Sequence, residues 1–159
     1  MRECRMAVGG SDLPVSARNR RQDEKELNVK YILLMTGTKA GVDSYRAWSQ
    51  KDIQTHFGYL KSIEKELTAS GEFVVTHGLG LPDRAKVVRA GKNGAPVTDG
   101  VFAEAKEFLL GYWIVDVESE QRAYEIAAKI SGGPGPGGVR LDMPIEVRQV
   151  MEAKREDVV

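Results

Sequence analysis

Gly111-Tyr112-Trp113-Ile114-Val115-Asp116-Val117, read beside Tyr31-Ile32-Leu33-Leu34-Met35, decides the fold. Both stretches are short, apolar at nearly every position and bounded by polar residues or glycine, the pattern of strands buried on two faces. Between and after them the chain alternates helix and strand. Ser49 and Asp52 have capping-box spacing, and Ile53, Phe57, Leu60, Ile63 and Leu67 recur at three and four, which predicts a helix from Ser49 until Gly71 stops it. Glu72 to Leu79 alternates, with Phe73, Val75, His77 and Leu79 on one side and Val74 and Thr76 on the other, as a second strand does. Ala85 to Ala90 is a third. The turn residues Gly91-Lys92-Asn93-Gly94 predict a hairpin into a short extended piece before Asp99.

Tyr112 to Val117 is followed by Ser119 as the N-cap of a second helix, whose inner face is Ala123, Ile126, Ala127 and Ile130. Gly132 and Gly133 end it. The run from Gly132 to Gly138, with five glycines and two prolines, excludes helix and central strand and leads into a last strand, Ile145 to Val150. The order is then β, α, β, β, β, α, β with one strand short. This is the split βαβ arrangement of an α+β, ferredoxin-like domain, with an antiparallel sheet and an added hairpin. Two helices cover one face of such a sheet, yet Tyr31–Met35 and Tyr112–Val115 are apolar on both sides, so the second face needs a cover. A second copy packed sheet against sheet supplies one, giving a homodimer whose partly enclosed interior suits a small organic ligand. The alternative cover is the Gly/Pro-rich loop or the N-terminal tail.

A length of 159 residues bounds the chain to one domain, 29–151. Residues 1–28 mix arginines with acids and contain no aromatic residue, so a disordered tail is expected, with an alternative start at Val29 that leaves it out of the native protein. Residues 152–159 read as a charged C-terminal tail. Lys plus Arg and Asp plus Glu both number 23, so no net field steers the chain to nucleic acid or an anionic membrane. No stretch has the roughly 20 apolar residues of a membrane span. The single cysteine, Cys4, allows no intrachain disulfide and no cysteine zinc site, and a reducing cytoplasm is the expected location.

The run Thr98-Asp99-Gly100-Val101-Phe102-Ala103-Glu104-Ala105-Lys106-Glu107, followed by Gly111 to Val117, resembles the YCII-related family in the branch named for its Asp-Gly-Pro-Phe motif. The likeness extends back through Lys86-Val87-Val88-Arg89-Ala90 and forward to Ile145-Glu146-Val147-Arg148. Val101 stands where the motif has proline, which loosens the φ restriction there. The resemblance implies a dimeric α/β barrel. It also implies, from a few lyase-like or dehalogenating relatives, a histidine paired with an aspartate.

His56 is the candidate general base, because it lies in the first helix, where those relatives carry theirs. Asp52, four residues earlier on the same helical face, is placed to orient its ring. The competing reading is a surface histidine with an ordinary i, i+4 pair. His77 is read as a core histidine or a ligand contact. Asp99 and Gly100 are read as a turn, Phe102 as its apolar anchor, and Asp99 with Glu104 as candidate binding acids. Tyr112 and Trp113 fall on opposite sheet faces, so one of them looks to the dimer side. Two histidines far apart in sequence have no metal-ligand spacing, and no metal or other cofactor is expected. The glycine-rich run is not a phosphate loop: it follows a helix, lacks a lysine-serine ending and contains two prolines without amide donors. It is a linker or a lid. Three classes remain: a ligand-binding module, a cofactor-free lyase or isomerase using His56, and a ligand-free interaction or transcription-accessory protein.

Overall fold

A computed structural model describes residues 28–100 and 106–151. Six strands and three helices are present among them: β1 (Val29–Thr38), α1 (Lys39–Tyr45), α2 (Gln50–Ser70), β2 (Phe73–Gly78), β3 (Lys86–Ala90), β4 (Pro96–Gly100), β5 (Glu107–Val117), α3 (Glu120–Ser131) and β6 (Ile145–Gln149). The main sheet has the order β2-β5-β1-β6 and is antiparallel throughout. With the β3–β4 ribbon set aside, this is the split βαβ order expected from the sequence, and the molecule is α+β with a ferredoxin-like sheet.

Alternation sorts the central strands. Leu33, Val115 and Val117 are sealed against the helices together with Trp113, which is 2% exposed. From α2 come Ile63 and Leu67, and from α3 Ala123, Ile126, Ala127 and Ile130, the inner face expected for that helix. Ile32, Leu34, Tyr112 and Ile114 point to the other face and are only partly buried. Tyr112 and Trp113 thus lie on opposite faces, as alternation required.

Both bulges fall where the sequence pattern misleads. Between Phe73 and Val75 the β2–β5 register shifts, so Phe73 packs in the core opposite Val115 while His77 lies opposite Tyr112 on the far face. The alternation read from the sequence had put Phe73 and His77 together; one extra residue separates them. The second bulge, between Met35 and Thr36, makes Leu110 the unpaired residue of β5.

Local chemistry sets the helix ends. The Ser49 hydroxyl accepts from the Asp52 amide at 3.1 Å, and Gly71, at φ 80°, closes α2 in the left-handed conformation that favours glycine. α1 was not expected: it is one short helix capped by Thr38, whose hydroxyl accepts from the Gly41 amide, and it is held by Val42, which is buried. Asp99 and Gly100 are not a turn. They continue β4, with Asp99 opposite Val87, and Gly100 takes no positive φ. Phe102 and Glu104 lie outside the described residues. Across the sheet edge, Arg122 donates to both Glu72 oxygens, at 2.6 and 2.8 Å, which ties α3 to the start of β2. That fork and the Ser70 hydroxyl hold the Glu72 carboxyl below its ordinary range, and the same pair raises Arg122.

Candidate functional site

A cavity of about 630 Å³ opens between α2 and the sheet, at the end where β1 runs into α1. Strand ends make its floor through Met35, Thr76, Gly111 and Trp113. Tyr45 and Trp48, from α1 and the corner after it, form one wall, and Leu141 to Pro144 form another. His56, Phe57 and Leu60 come down from α2. The lining is mostly apolar. Its three charged residues, Lys61, Glu107 and Asp142, are exposed and so belong to the rim. The floor depends on close strand approach: a Cβ on Gly111 would stand 2.9 Å from the His77 carbonyl oxygen, so only glycine lets β2 and β5 meet here.

The stripe expected on α2 holds at its later turns, where Ile63 and Leu67 are buried and Leu60 is partly buried, but one turn earlier the fold buries His56 in place of Phe57. Phe57 is 53% exposed, at the side of the cavity, and His56 is 8% exposed. Burial of an imidazole calls for hydrogen bonds. Nδ1 lies 3.0 Å from the carbonyl oxygen of Pro134, a group that only accepts, so Nδ1 carries a proton and donates it. Trp48 and Phe57 meet the ring edge-on at centroid distances of 5.5 and 5.8 Å. In the neutral ring Nε2 is then a bare lone pair. Among the described residues nothing bonds it, and none of their buried side-chain nitrogens or oxygens lacks a partner, so Nε2 keeps some accessible surface, on a residue that lines the cavity.

Asp52 does not touch this ring. Its carboxylate accepts from the Ser49 hydroxyl at 2.6 Å and from the Gly137 amide at 3.0 Å, and these bonds, the Ser49 hydroxyl first, hold it below the ordinary carboxylate range. The expected dyad is therefore replaced by a different device. Two residues one helical turn apart, Asp52 and His56, each grip the Gly/Pro-rich loop, one at Gly137 and the other at Pro134. The loop is folded on itself: Gly135 and Val139, and Gly133 and Leu141, are joined by backbone bonds of 2.7 and 3.0 Å, and Gly137 takes φ 66°. A Pro134 carbonyl takes the orienting role that sequence spacing gave to Asp52.

The remaining candidates are dispersed. His77 borders the cavity floor along β2, but its ring lies on the far face of the sheet, edge-on to Tyr112 at 5.8 Å, so one metal ion cannot take both histidine side chains. Trp113 forms part of the cavity floor, whereas Tyr112 belongs to the opposite face. Asp99 pairs with Arg89 at 3.1 Å on the exposed ribbon. Among the described residues no three His, Cys, Asp or Glu side chains come together in a metal-binding group. Missed by sequence reasoning were Tyr45, Trp48 and Leu141–Pro144; the signal available was the aromatic pair ahead of the Ser49 cap, which needed α1 to place it.

The YCII-related domain matches residues 29–133, from β1 to just past α3. A protein of Rhizobium meliloti (strain 1021), described as uncharacterized, is 28% identical over 96 residues, which is 60% of this chain and 77% of that one. The matched domain contains His56 and most of the cavity but ends before Pro134, so the loop that His56 holds lies beyond it. The chain belongs to the YCII-related domain family.

Proposed function

We propose that the protein binds a small, largely apolar organic molecule in the cavity beneath α2, with Nε2 of His56 as the polar contact at its wall. One observation carries this reading: an apolar chamber of about 630 Å³ whose lining, among the described residues, holds a single buried titratable side chain. The sequence had placed a ligand between two packed sheets; the chamber lies on the helix side of one sheet instead, within one chain. The test is an NMR fragment screen that follows the indole N–H signals of Trp48 and Trp113. The chain has two tryptophans and both line the chamber. Compact apolar fragments are expected to shift both signals, and Leu60→Phe, which narrows the chamber, to weaken the shifts. A screen in which neither signal moves overturns the reading.

A bare, accessible Nε2 on a ring fixed at Nδ1 is also the arrangement of a general base, which favours a cofactor-free lyase or isomerase as the second reading. Turnover lost in His56→Gln while fragment binding persists distinguishes it from a binding module. Homodimerisation is part of the proposal. The partly buried Ile32, Leu34, Tyr112 and Ile114 form an apolar strip on a sheet face with no helix, and Val88 and Val97 stand exposed on a two-stranded ribbon of a kind that is marginal alone in water. A second copy covers both.

A further inference from the structure

We infer that the cavity selects a neutral molecule that donates a hydrogen bond, an aromatic or enolic hydroxyl on a planar apolar body, over a carboxylate of the same shape. The inference rests on the proposed binding role of the cavity and comes from which ring nitrogen is already committed. Because the Pro134 carbonyl takes the Nδ1 proton, the neutral ring offers the cavity an acceptor and no donor. A hydroxyl completes that acceptor. A carboxylate meets it lone pair to lone pair, unless the ring takes a second proton, and no carboxylate among the described residues touches the ring to balance that charge.

The surroundings agree. A carboxylate entering the chamber leaves water for walls of Tyr45, Trp48, Phe57 and Trp113, and among the described residues no cationic side chain lies inside the chamber to receive it. At the rim Lys61 stands against two acids, Glu107 and Asp142, and Asp142 is itself held by Arg140 at 2.9 and 3.1 Å. The mouth therefore has no net attraction for an anion. The same aromatic walls favour a flat ring, since Tyr45 and Trp48, whose rings meet tilted at 5.1 Å, both line the space.

Three probes of one shape separate the possibilities: 4-propylphenol, 4-propylbenzoate and propylbenzene, titrated at pH 8, where the phenol is neutral and the benzoate ionised. Dissociation constants come from the two tryptophan indole signals. The phenol is expected to bind about three- to tenfold more tightly than propylbenzene, the worth of one neutral hydrogen bond, and the benzoate more weakly than both. In His56→Phe the preference for phenol over propylbenzene is expected to fall below twofold. Should that variant fail to fold, ring 15N shifts of the native protein give the same answer: Nδ1 protonated, Nε2 bare, and the Nε2 signal displaced by the phenol. Tightest binding by the benzoate, equal binding of phenol and propylbenzene, or a proton on Nε2 instead of Nδ1 overturns the inference and leaves the cavity reading standing. Failure of all three probes to bind overturns both.

Discussion

Replacing His56 by phenylalanine isolates the bond on which the site's geometry depends. The substitution keeps a ring against Trp48 and Phe57 and removes, in the unliganded protein, the one hydrogen bond the ring makes among the described residues, the Nδ1–H donor that holds the Pro134 carbonyl at 3.0 Å, together with the Nε2 acceptor proposed for the ligand. A net hydrogen bond contributes about 0.5–1.5 kcal/mol, and an acceptor left unsatisfied away from water costs about 1–3 kcal/mol. Pro134 is partly buried, so the carbonyl recovers some hydration and the expected loss is about 1–2 kcal/mol. For a chain of this length that corresponds to a fall in Tm of roughly 3–6 °C. Urea unfolding followed by tryptophan fluorescence reads the loss as a lower midpoint at unchanged slope. The local consequence is more specific: amides of the folded loop, Gly135 and Leu141 among them, are expected to exchange about tenfold faster, because the loop opens without the rest of the domain. A loss below about 0.3 kcal/mol with loop exchange unchanged would refute the claim that His56 holds the loop.

Other contacts lead to further outcomes. Glu72→Gln breaks the fork to Arg122 and should cost about 1–2 kcal/mol in urea unfolding. Because the folded Glu72 is depressed below its ordinary value of 4.5, the unfolded chain takes up this proton first; the pair's contribution is whole above that pH and is lost as pH falls through the folded value, an acid-side loss that Glu72→Gln should remove. Asp52 is depressed in the same sense, so protection of the Gly137 amide should persist at neutral pH and fade on acidification below the ordinary carboxylate range, with Asp52→Asn showing no such step. Gly111→Ala drives a Cβ to within 2.9 Å of the His77 carbonyl oxygen and should cost about 1–3 kcal/mol while weakening fragment binding at the cavity floor. Ile114→Asp on the helix-free face should leave the monomer folded and shift light scattering from dimer to monomer; a native protein that is already monomeric at micromolar concentration contradicts the proposed sheet-to-sheet association.

The elements were legible because their signals are local. Ser49 and Gly71 bracket α2, Ser119 and the Ala123-Ile126-Ala127-Ile130 stripe define α3, and apolar runs mark β1 and β5, each within a few residues of chain. α1 was not legible, since a seven-residue helix containing Gly41 and one buried apolar residue, Val42, has too little periodicity to stand out. The bulges at Phe73/Val75 and Met35/Thr36 are single-residue events set by neighbouring strands, and each reverses the facing of the strand residues beyond it. The site was half legible. His56 was singled out, but Phe57 beside it is more apolar and took its place in the expected stripe, whose later residues Leu60, Ile63 and Leu67 do face the core. Asp52 was assigned to His56 because spacing shows only neighbours along the helix; its partner, Gly137, is 85 residues away, and only the tertiary fold brings it there.

The central claim is that a small molecule sits on the helix side of the sheet, against His56. Intermolecular NOEs from bound 4-propylphenol test it most directly, because the two sheet faces carry different reporters. NOEs to the Leu60 methyls and to the Trp48 and Trp113 indoles, with none to Ile32, Tyr112 or Ile114, are the predicted result. NOEs to Ile32, Tyr112 and Ile114 instead would place the ligand between the sheets of two copies and contradict the account.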